Sequence, residues 1–291
     1  PMSAWLINDH LSQQNLLRDA TVEVVDSGPV FARLRVKHTV RASTISEDIF
    51  VYNHFPRIDF DADIDWREKG NDETGVPQLK VAFGTSMVAP KARFEGPFTV
   101  VERPCDGREQ PTQKWADLSG ENCAFTLYND SKYGCDALGG RLRLTLLRNP
   151  YGPDPETDNG KHRVQFAFEP HQESLSNAEL TRRGMAFNRP LITVQTDAPR
   201  DQQSKFFLTG DDAVVLNAVR HAEHSEGILL RLFETSGAGG NVQVHCTNEL
   251  TCAREVNLLE NEIAAGPEMA DGVFETRLRG FEIKTFIVAA E

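Results

Sequence analysis

The chain has 291 residues, about 40% of them hydrophobic, and a formal net charge of -12 with a pI near 5.2. That apolar content excludes wholesale disorder, and the acidic balance argues against nucleic acid or an anionic membrane surface as partner. The length suits one large all-β domain or two smaller ones, and no apolar run reaches the roughly 20 residues that cross a bilayer.

The start, Pro1-Met2-Ser3-Ala4-Trp5, lacks the basic-then-apolar pattern of a signal peptide, and Pro1 ahead of Met2 reads as an excised fragment. Breaker-separated β-branched runs then follow in order: Val22 to Val25, Val30 to Val36 and Ile49 to Tyr52, punctuated by Gly28-Pro29 and Phe55-Pro56. Phe60-Asp61-Ala62-Asp63-Ile64-Asp65-Trp66 alternates strictly, with apolar residues on one face and carboxylates on the other. Strands are also predicted at Leu79 to Phe83, Cys123 to Tyr128, Leu142 to Leu147, Val164 to Phe168 and Leu191 to Val194. Ala213 to Val219, Ile228 to Phe233, Val242 to His245 and Ile283 to Ala289 continue the series.

Two short helices are expected, near Asp9 to Arg18 and from Ser174 to Met185, the latter capped by Ser174 or Ser176. Loops with strong breaker chemistry lie at Lys69 to Pro77, Pro104 to Pro111, Asn149 to Gly160 and Ser236 to Asn241. A boundary is predicted near Thr196 to Gln203, which gives a domain over 1–200 and a smaller β module over 201–291. More than ten strands with so little helix predicts an all-β fold, a large β-sandwich, in place of alternating βαβ units.

Asp59, Asp61, Asp63 and Asp65 share one face of an extended strand. They form either a solvated outer face or a ladder that grips sugar hydroxyls or a hard cation, and Arg57 and Arg67 flank them to offset their repulsion. The loop from Arg148 to His162 carries three carboxylates, an Arg and a His on a Pro/Gly-stiffened frame. Groups preset in this way suit carbohydrate recognition, because hydroxyls are met at little ordering cost; an ordinary surface turn is the alternative. His171, just past a strand, reads as a structural hydrogen-bonding residue, or else as a general acid or sugar contact. His221 and His224 have metal spacing only in a helix, and a turn is expected there. Five cysteines without a C-x-x-C pair exclude a zinc ribbon. Cys246 and Cys252 are close enough for a hairpin disulfide, although free thiols in a reducing cytoplasm are the simpler reading. No phosphate loop, nucleophile elbow or His-Glu-x-x-His motif is present.

An ordered series of motifs carries a likeness. Lys114-Trp115-Ala116-Asp117-Leu118-Ser119, Leu127-Tyr128-Asn129-Asp130-Ser131-Lys132-Tyr133-Gly134 and Leu142-Arg143-Leu144-Thr145-Leu146-Leu147-Arg148 lead into Pro153-Asp154-Pro155, Asp158, Gly160 to His162 and Pro170-His171. Phe55-Pro56-Arg57-Ile58-Asp59-Phe60 precedes them; Arg231-Leu232-Phe233-Glu234 and Glu255-Val256-Asn257-Leu258-Leu259-Glu260 follow. The series resembles the C-terminal region of glycoside hydrolase family 38, from about Val22 to Val288.

The resemblance implies a galactose-mutarotase-like supersandwich followed by a smaller β module. It further implies a parent enzyme that hydrolyses α-mannosides with retention. There, zinc and an aspartate nucleophile belong to an N-terminal catalytic domain with no counterpart in this sequence. The family's earliest C-terminal strands are missing too, which predicts an open sandwich edge. Lys161 and Arg163 around His162, and Gln172-Glu173 after Pro170-His171, depart from the family pattern. The chain is then a noncatalytic β domain partnered by the catalytic domain and a mannoside or oligosaccharide, with Arg148, Asp154, Asp158 and His162 facing the cleft. The alternatives are a stand-alone carbohydrate-binding module and a mutarotase-like epimerase using His171 with Glu169 or Glu173.

Overall fold

The computed structural model describes residues 12–16, 19–172, 175–195, 197, 206–247 and 249–290. The chain divides into two compact units. The first comprises the described residues of Pro1–Gly96 and Val101–Ser174, the second those of Pro97–Val100 and Leu175–Glu291.

In the first unit β1 (Thr21–Ser27), β2 (Phe31–Val40), β3 (Ser43–Tyr52) and β4 (Ile58–Trp66) form an antiparallel meander. Next come β5 (Gln78–Gly84), β6 (Lys91–Gly96), β7 (Thr99–Arg103, of which Val101 to Arg103 belong to this unit), β8 (Gln110–Pro111) and β9 (Trp115–Ser119). The series ends with β10 (Ala124–Asn129), β11 (Gly134–Leu138), β12 (Arg141–Arg148) and β13 (Gly160–His171). Among the described residues, one sheet runs β1-β2-β3-β4-β13-β10-β9-β6-β7 and a shorter one β5-β12-β11-β8.

Their apolar faces share one core, with Ile64, Leu118, Phe125 and Phe166 from the long sheet and Leu79, Leu142 and Leu144 from the short one. Phe83 of β5 bridges them, stacked 4.8 Å from Phe168 and tilted 5.5 Å from Phe60. Burying such a side chain stabilises the fold by about 1.5–3 kcal/mol each. The alternation in β4 works as expected: Ala62, Ile64 and Trp66 are buried in the core while the aspartates take the other face.

Nine strands face four, so the long sheet's inner face runs past its cover. By register, Val22 and Val24 of β1 lie on the same face as Val36 and Leu34 of β2, and then as Ala62 and Phe60 of β4. Yet Val22 is 65% exposed and Val24 66%. On β2 and β3 the same face is half-buried and carries Glu47, so among the described residues the uncovered part is the β1 edge.

The second unit holds α1 (Asn177–Asn188), β14 (Phe207–Gly210), β15 (Val214–His221), β16 (Ile228–Glu234) and β17 (Gly240–His245). β18 (Cys252–Val256), β19 (Glu262–Ala264), β20 (Met269–Ala270), β21 (Val273–Leu278) and β22 (Ile283–Ala289) follow. The sheets β14-β17-β21-β20 and β15-β16-β22-β18-β19 enclose a core that includes Leu230, Val244, Phe274 and Phe286.

Helix α1 starts at Asn177 because Ser176, in extended conformation, accepts a hydrogen bond from the Glu179 N–H; it runs three residues past the predicted end at Met185. Ser174 lies outside the described residues, as do Asp9 and most of the predicted boundary at 196–203. Of the helix expected near Asp9 to Arg18, residues 12–16 are described and have no regular structure. Leu191 to Val194 is not a strand: it is irregular, and Leu191 is 95% exposed. β-branched residues favour a pleated, packed surface, and among the described residues no neighbouring strand supplies one. All five cysteines are free, Cys246 and Cys252 included.

Candidate functional site

The richest polar region is built on the short sheet and the loop leaving its longest strand. Register puts Lys80 of β5 opposite Thr145 of β12, and Asp136 of β11 opposite Arg143. These side chains share the face turned away from the core. Lys80 Nζ reaches both Glu109 Oε2 and Asp136 Oδ2 at 2.6 Å, Arg143 Nε meets Asp136 Oδ1 at 2.6 Å, and Thr145 donates to Glu109 at 2.6 Å. Asp136 is fully buried, so its pairing with two cations offsets a desolvation cost that an unpaired carboxylate could not bear.

A β-bulge decides where Arg148 goes. Unbroken alternation from Leu142 and Leu144 would turn residue 148 into the core. The register shifts between Thr145 and Leu147, so Leu146 and Leu147 are both buried and Arg148 pairs with Gln78 on the polar face. Burial lowers the Arg148 pKa, against the opposing charges of Glu109 and Asp158.

The loop beyond Arg148 is pinned at many points. Asn149, itself buried, donates through Nδ2 to the Glu68 carbonyl at 2.7 Å and through its backbone N–H to the Pro77 carbonyl at 3.1 Å. Lys69 pairs with Glu156, and Tyr151 hydrogen-bonds Asp72, which raises the phenol pKa. The Asp158 carboxylate accepts the Arg148 backbone N–H at 2.7 Å. Its carbonyl lies 2.8 Å from His162 Nε2, which must therefore carry the imidazole proton. Arg148, Asp158 and His162 are thus brought together. Asp154 is not with them: it sits on the exposed tip, where its Oδ1 accepts the Glu156 N–H at 3.0 Å in a local turn. Next to Asp158, both polar atoms of the Asn159 side chain are buried and lack a hydrogen-bond partner among the described residues.

The Asp158 anchor makes a measurable claim. Asp158→Ala should leave global stability within about 1 kcal/mol and quicken hydrogen exchange of the Arg148 amide roughly tenfold. Unchanged exchange there would mean that the carboxylate does not hold the loop.

The description "Glycosyl hydrolases family 38 C-terminal domain" matches residues 1–156, and "Glycosyl hydrolases family 38 C-terminal beta sandwich domain" matches 213–286. The chain belongs to glycosyl hydrolase family 38. Alpha-mannosidase G of Dictyostelium discoideum is 28% identical over 292 residues, covering 92% of this chain and 26% of that protein. Alpha-mannosidase 2C1 of Homo sapiens is 29% identical over 236 residues, covering 77% of this chain and 22% of that protein. The chain therefore spans about a quarter of the length of the curated relatives it matches. The crystal structure of an alpha-mannosidase from Enterococcus faecalis V583 superimposes with a TM-score of 0.73 at 18% identity, covering 92% of this chain and 35% of that one. A second Enterococcus faecalis structure, of a protein in glycosyl hydrolase family 38, gives 0.72 at 18%, with 92% and 36% covered. At that identity the likeness is one of fold.

In this family 38 chain the aspartate row of β4 is matched by cations. Arg57 grips Asp59 through two bonds of 2.6 and 2.9 Å, and Tyr52 donates to the same carboxylate at 2.9 Å. Burial and Asp59 together push the Tyr52 phenol up to about 12. Arg163 holds Asp61 through bonds of 2.9 and 2.6 Å and lowers its pKa, Arg67 meets Asp65 at 2.6 Å, and Asp63 lies opposite Arg163 in register. The arrangement is a charge-paired outer face.

His171 belongs to a buried network. Its Nε2 lies 3.0 Å from Asp117 Oδ1 and 3.2 Å from Thr126 Oγ1, while Arg93 pairs with the other Asp117 oxygen at 2.7 Å. Glu169, offered as its catalytic partner, instead accepts from Tyr128 at 2.9 Å; Glu173 lies outside the described residues. His221 ends β15 and the turn closes from the Ala222 N–H to the Gly227 carbonyl, so the His221/His224 helix needed for metal binding does not form. Among the described residues no group of three or more His, Cys, Asp or Glu side chains stands close enough to hold a metal ion. Likewise, no helix there is long and apolar enough to cross a membrane.

Reading the sequence missed Lys80, Glu109, Asp136 and Asn159. For Lys80 and Asp136 a signal existed, a single charged residue within an otherwise apolar strand; Glu109 lies in a polar loop, where no such pattern marks it.

Proposed function

We propose that this chain is the noncatalytic C-terminal β region of a family 38 α-mannosidase, which buttresses the catalytic domain and lends the loop between Arg148 and His162 to the substrate cleft. The observation that carries this reading is the uncovered apolar pair Val22 and Val24 at the β1 edge of the sheet, the kind of surface that marks a protein partner. The relatives are about four times longer, so the catalytic domain of the same enzyme is the natural occupant. The Asn159 amide supports the cleft role. Leaving such a group unmet costs about 1–3 kcal/mol, and a sugar hydroxyl can both donate to and accept from it.

Retaining hydrolysis needs one carboxylate as nucleophile and another as acid, flanking the same bond. Glu109 and Asp136 form a pair in this chain, but both are engaged by Lys80, and Asp136 by Arg143 as well. On this reading the zinc and the nucleophile belong to the catalytic domain, and what this chain supplies is position: a stiff loop and a dry polar floor. Five free thiols suit a reducing compartment, and on this reading the enzyme works in the cytoplasm.

Purified chain should hydrolyse an aryl α-mannoside no faster than buffer does. Turnover that follows the protein through successive columns would overturn the noncatalytic assignment. The mutarotase-like alternative gains little, because His171 is committed to Asp117; an accelerated ring opening of glucose or galactose would revive it.

A further inference from the structure

The second unit carries a groove on the outer face of the sheet β14-β17-β21, a space of about 440 Å³ lined by residues that include Thr209, Asn241, Gln243, Glu275 and Arg277. We infer that this groove is a binding site for a neutral oligosaccharide, separate from the Arg148–His162 loop. The inference deepens the mannosidase reading, on which the choice of mannoside as probe rests; the chemistry of the groove itself points to a neutral sugar.

Register builds the site. Thr209, Gln243 and Glu275 lie in one row across the three strands, Asn241 and Arg277 in the next, and Phe207 with His245 on the opposite side of the first. Alternation sends all seven outward while Leu208, Val244 and Phe274 fill the core. Gly210 lets the strands close up at the floor: a Cβ there would stand 2.6 Å from the Asn241 carbonyl oxygen.

A polar outer face is by itself the ordinary wet side of a sheet. Three features set this one apart. It is a shallow depression open to solvent and not a flat face, and its volume falls within the roughly 300–1,000 Å³ of small-ligand sites. Its side chains are already ordered by one another: His245 Nε2 lies 2.9 Å from Thr209 Oγ1, Thr209 donates to Gln243 Oε1 at 3.3 Å, and Gln243 Nε2 donates to Glu275 at 2.9 Å. At the end of that chain the His245 ring stacks on Phe207 at 4.3 Å, with the planes within 2°. Such order lowers the entropic cost of binding. Finally, Phe207 is 44% exposed, an aromatic surface beside the polar row, as the C–H face of a pyranose requires.

Charge selects the ligand class. Glu275 and Arg277, two residues apart on one face, nearly cancel. A phosphate or acidic glycan would meet the Glu275 carboxylate, and a basic peptide would meet the Arg277 guanidinium. Vicinal hydroxyls of a neutral sugar can donate to Glu275 and accept from Arg277 and Asn241.

The test is titration of the intact chain with α-linked mannobiose, with maltose and cellobiose in parallel, followed by calorimetry and by backbone amide NMR. Saturable shifts at Thr209, Gln243 and Glu275, with affinity at least tenfold weaker in both Glu275→Gln and Phe207→Ala, would support the proposal. Both substitutions are on the surface, and an unchanged melting temperature would show that the variants fold. Maltose or cellobiose binding there without mannobiose would keep the groove as a neutral-sugar site and detach it from the mannosidase reading. No saturable shift in the groove with any of the three sugars, or binding unaffected by the two substitutions, would overturn it. Shifts confined to Arg148–His162 would also overturn it while leaving the cleft reading intact.

Discussion

Asp117→Ala is expected to destabilise the first unit by about 3–5 kcal/mol, the cost of removing one partner from a buried ion network. Asp117 is fully buried on β9 and its carboxylate accepts from four groups: Arg93 at 2.7 Å, Ser119 at 2.8 Å, His171 at 3.0 Å and Thr126 at 3.0 Å. Alanine would leave the Arg93 guanidinium and three other polar groups facing a void. Asp117→Asn keeps the shape and one acceptor oxygen, so it should cost less, roughly 1.5–3 kcal/mol. Urea unfolding followed by the fluorescence of buried Trp115 measures both. A loss below about 1 kcal/mol for alanine would show that the network stabilises little.

The pH dependence has a definite sign. Burial pushes the Asp117 carboxyl up, but the hydrogen bond from His171 and the charge of Arg93 outweigh it and hold the pKa below the usual value. A depressed carboxylate contributes stability above its unfolded pKa, about 3.9, and that contribution fades as pH falls through the folded value. The gap between wild type and Asp117→Asn should therefore be full above about pH 5 and narrow below pH 4.

Glu234→Ala should cost the second unit about 2–4 kcal/mol. Its carboxylate, at the end of β16 and fully buried, accepts the backbone N–H groups of Ser236, Gly237 and Phe281, each at 2.8 Å, together with the Ser236 hydroxyl. One side chain thus ties together two turns, and both depend on left-handed backbone, with φ of +85° at Gly237 and +58° at Phe281. Without the carboxylate those N–H groups lose an acceptor and the turns lose their reason to stay strained. Glu234→Gln should be almost as damaging, because the amide turns a donor toward N–H groups that are themselves donors. Burial raises the Glu234 pKa and the hydrogen bonds lower it further than that, so its contribution too is lost on acidification, below about pH 4.3. Hydrogen exchange across 234–240 and 279–283 is the measurement; protection equal to wild type in the alanine variant would rule the tether out.

Much of the architecture is legible in the residues. Strict alternation made β4 readable from Phe60 to its end at Trp66, two residues short of its start at Ile58, and the Arg57–Asp59 and Asp65–Arg67 pairs agree with it, since residues two apart in extended chain share a face. The cap of α1 was legible to within two serines. Leu191 to Val194 misled because composition reports what a segment would do beside a neighbour and is silent on whether a neighbour exists.

The candidate site was legible only in part. Gly, Pro and acidic residues announced the loop after Arg148, and local bonds of this kind are encoded by nearby residues. The clamp from Asn149 to Glu68 spans 81 positions and the one from Arg163 to Asp61 spans 102, distances over which no local pattern carries information.

The sequence by itself determined the all-β class, most core strands and the kinship with family 38, because periodicity and ordered motifs are properties of neighbouring residues. Tertiary structure alone decided which groups meet. The bulge at Leu146 turned Arg148 out of the core, strand register set Lys80 between Glu109 and Asp136, and the unequal width of two sheets left Val22 and Val24 uncovered. Each of these depends on how far one strand slides against another, a quantity set by packing across the whole sheet.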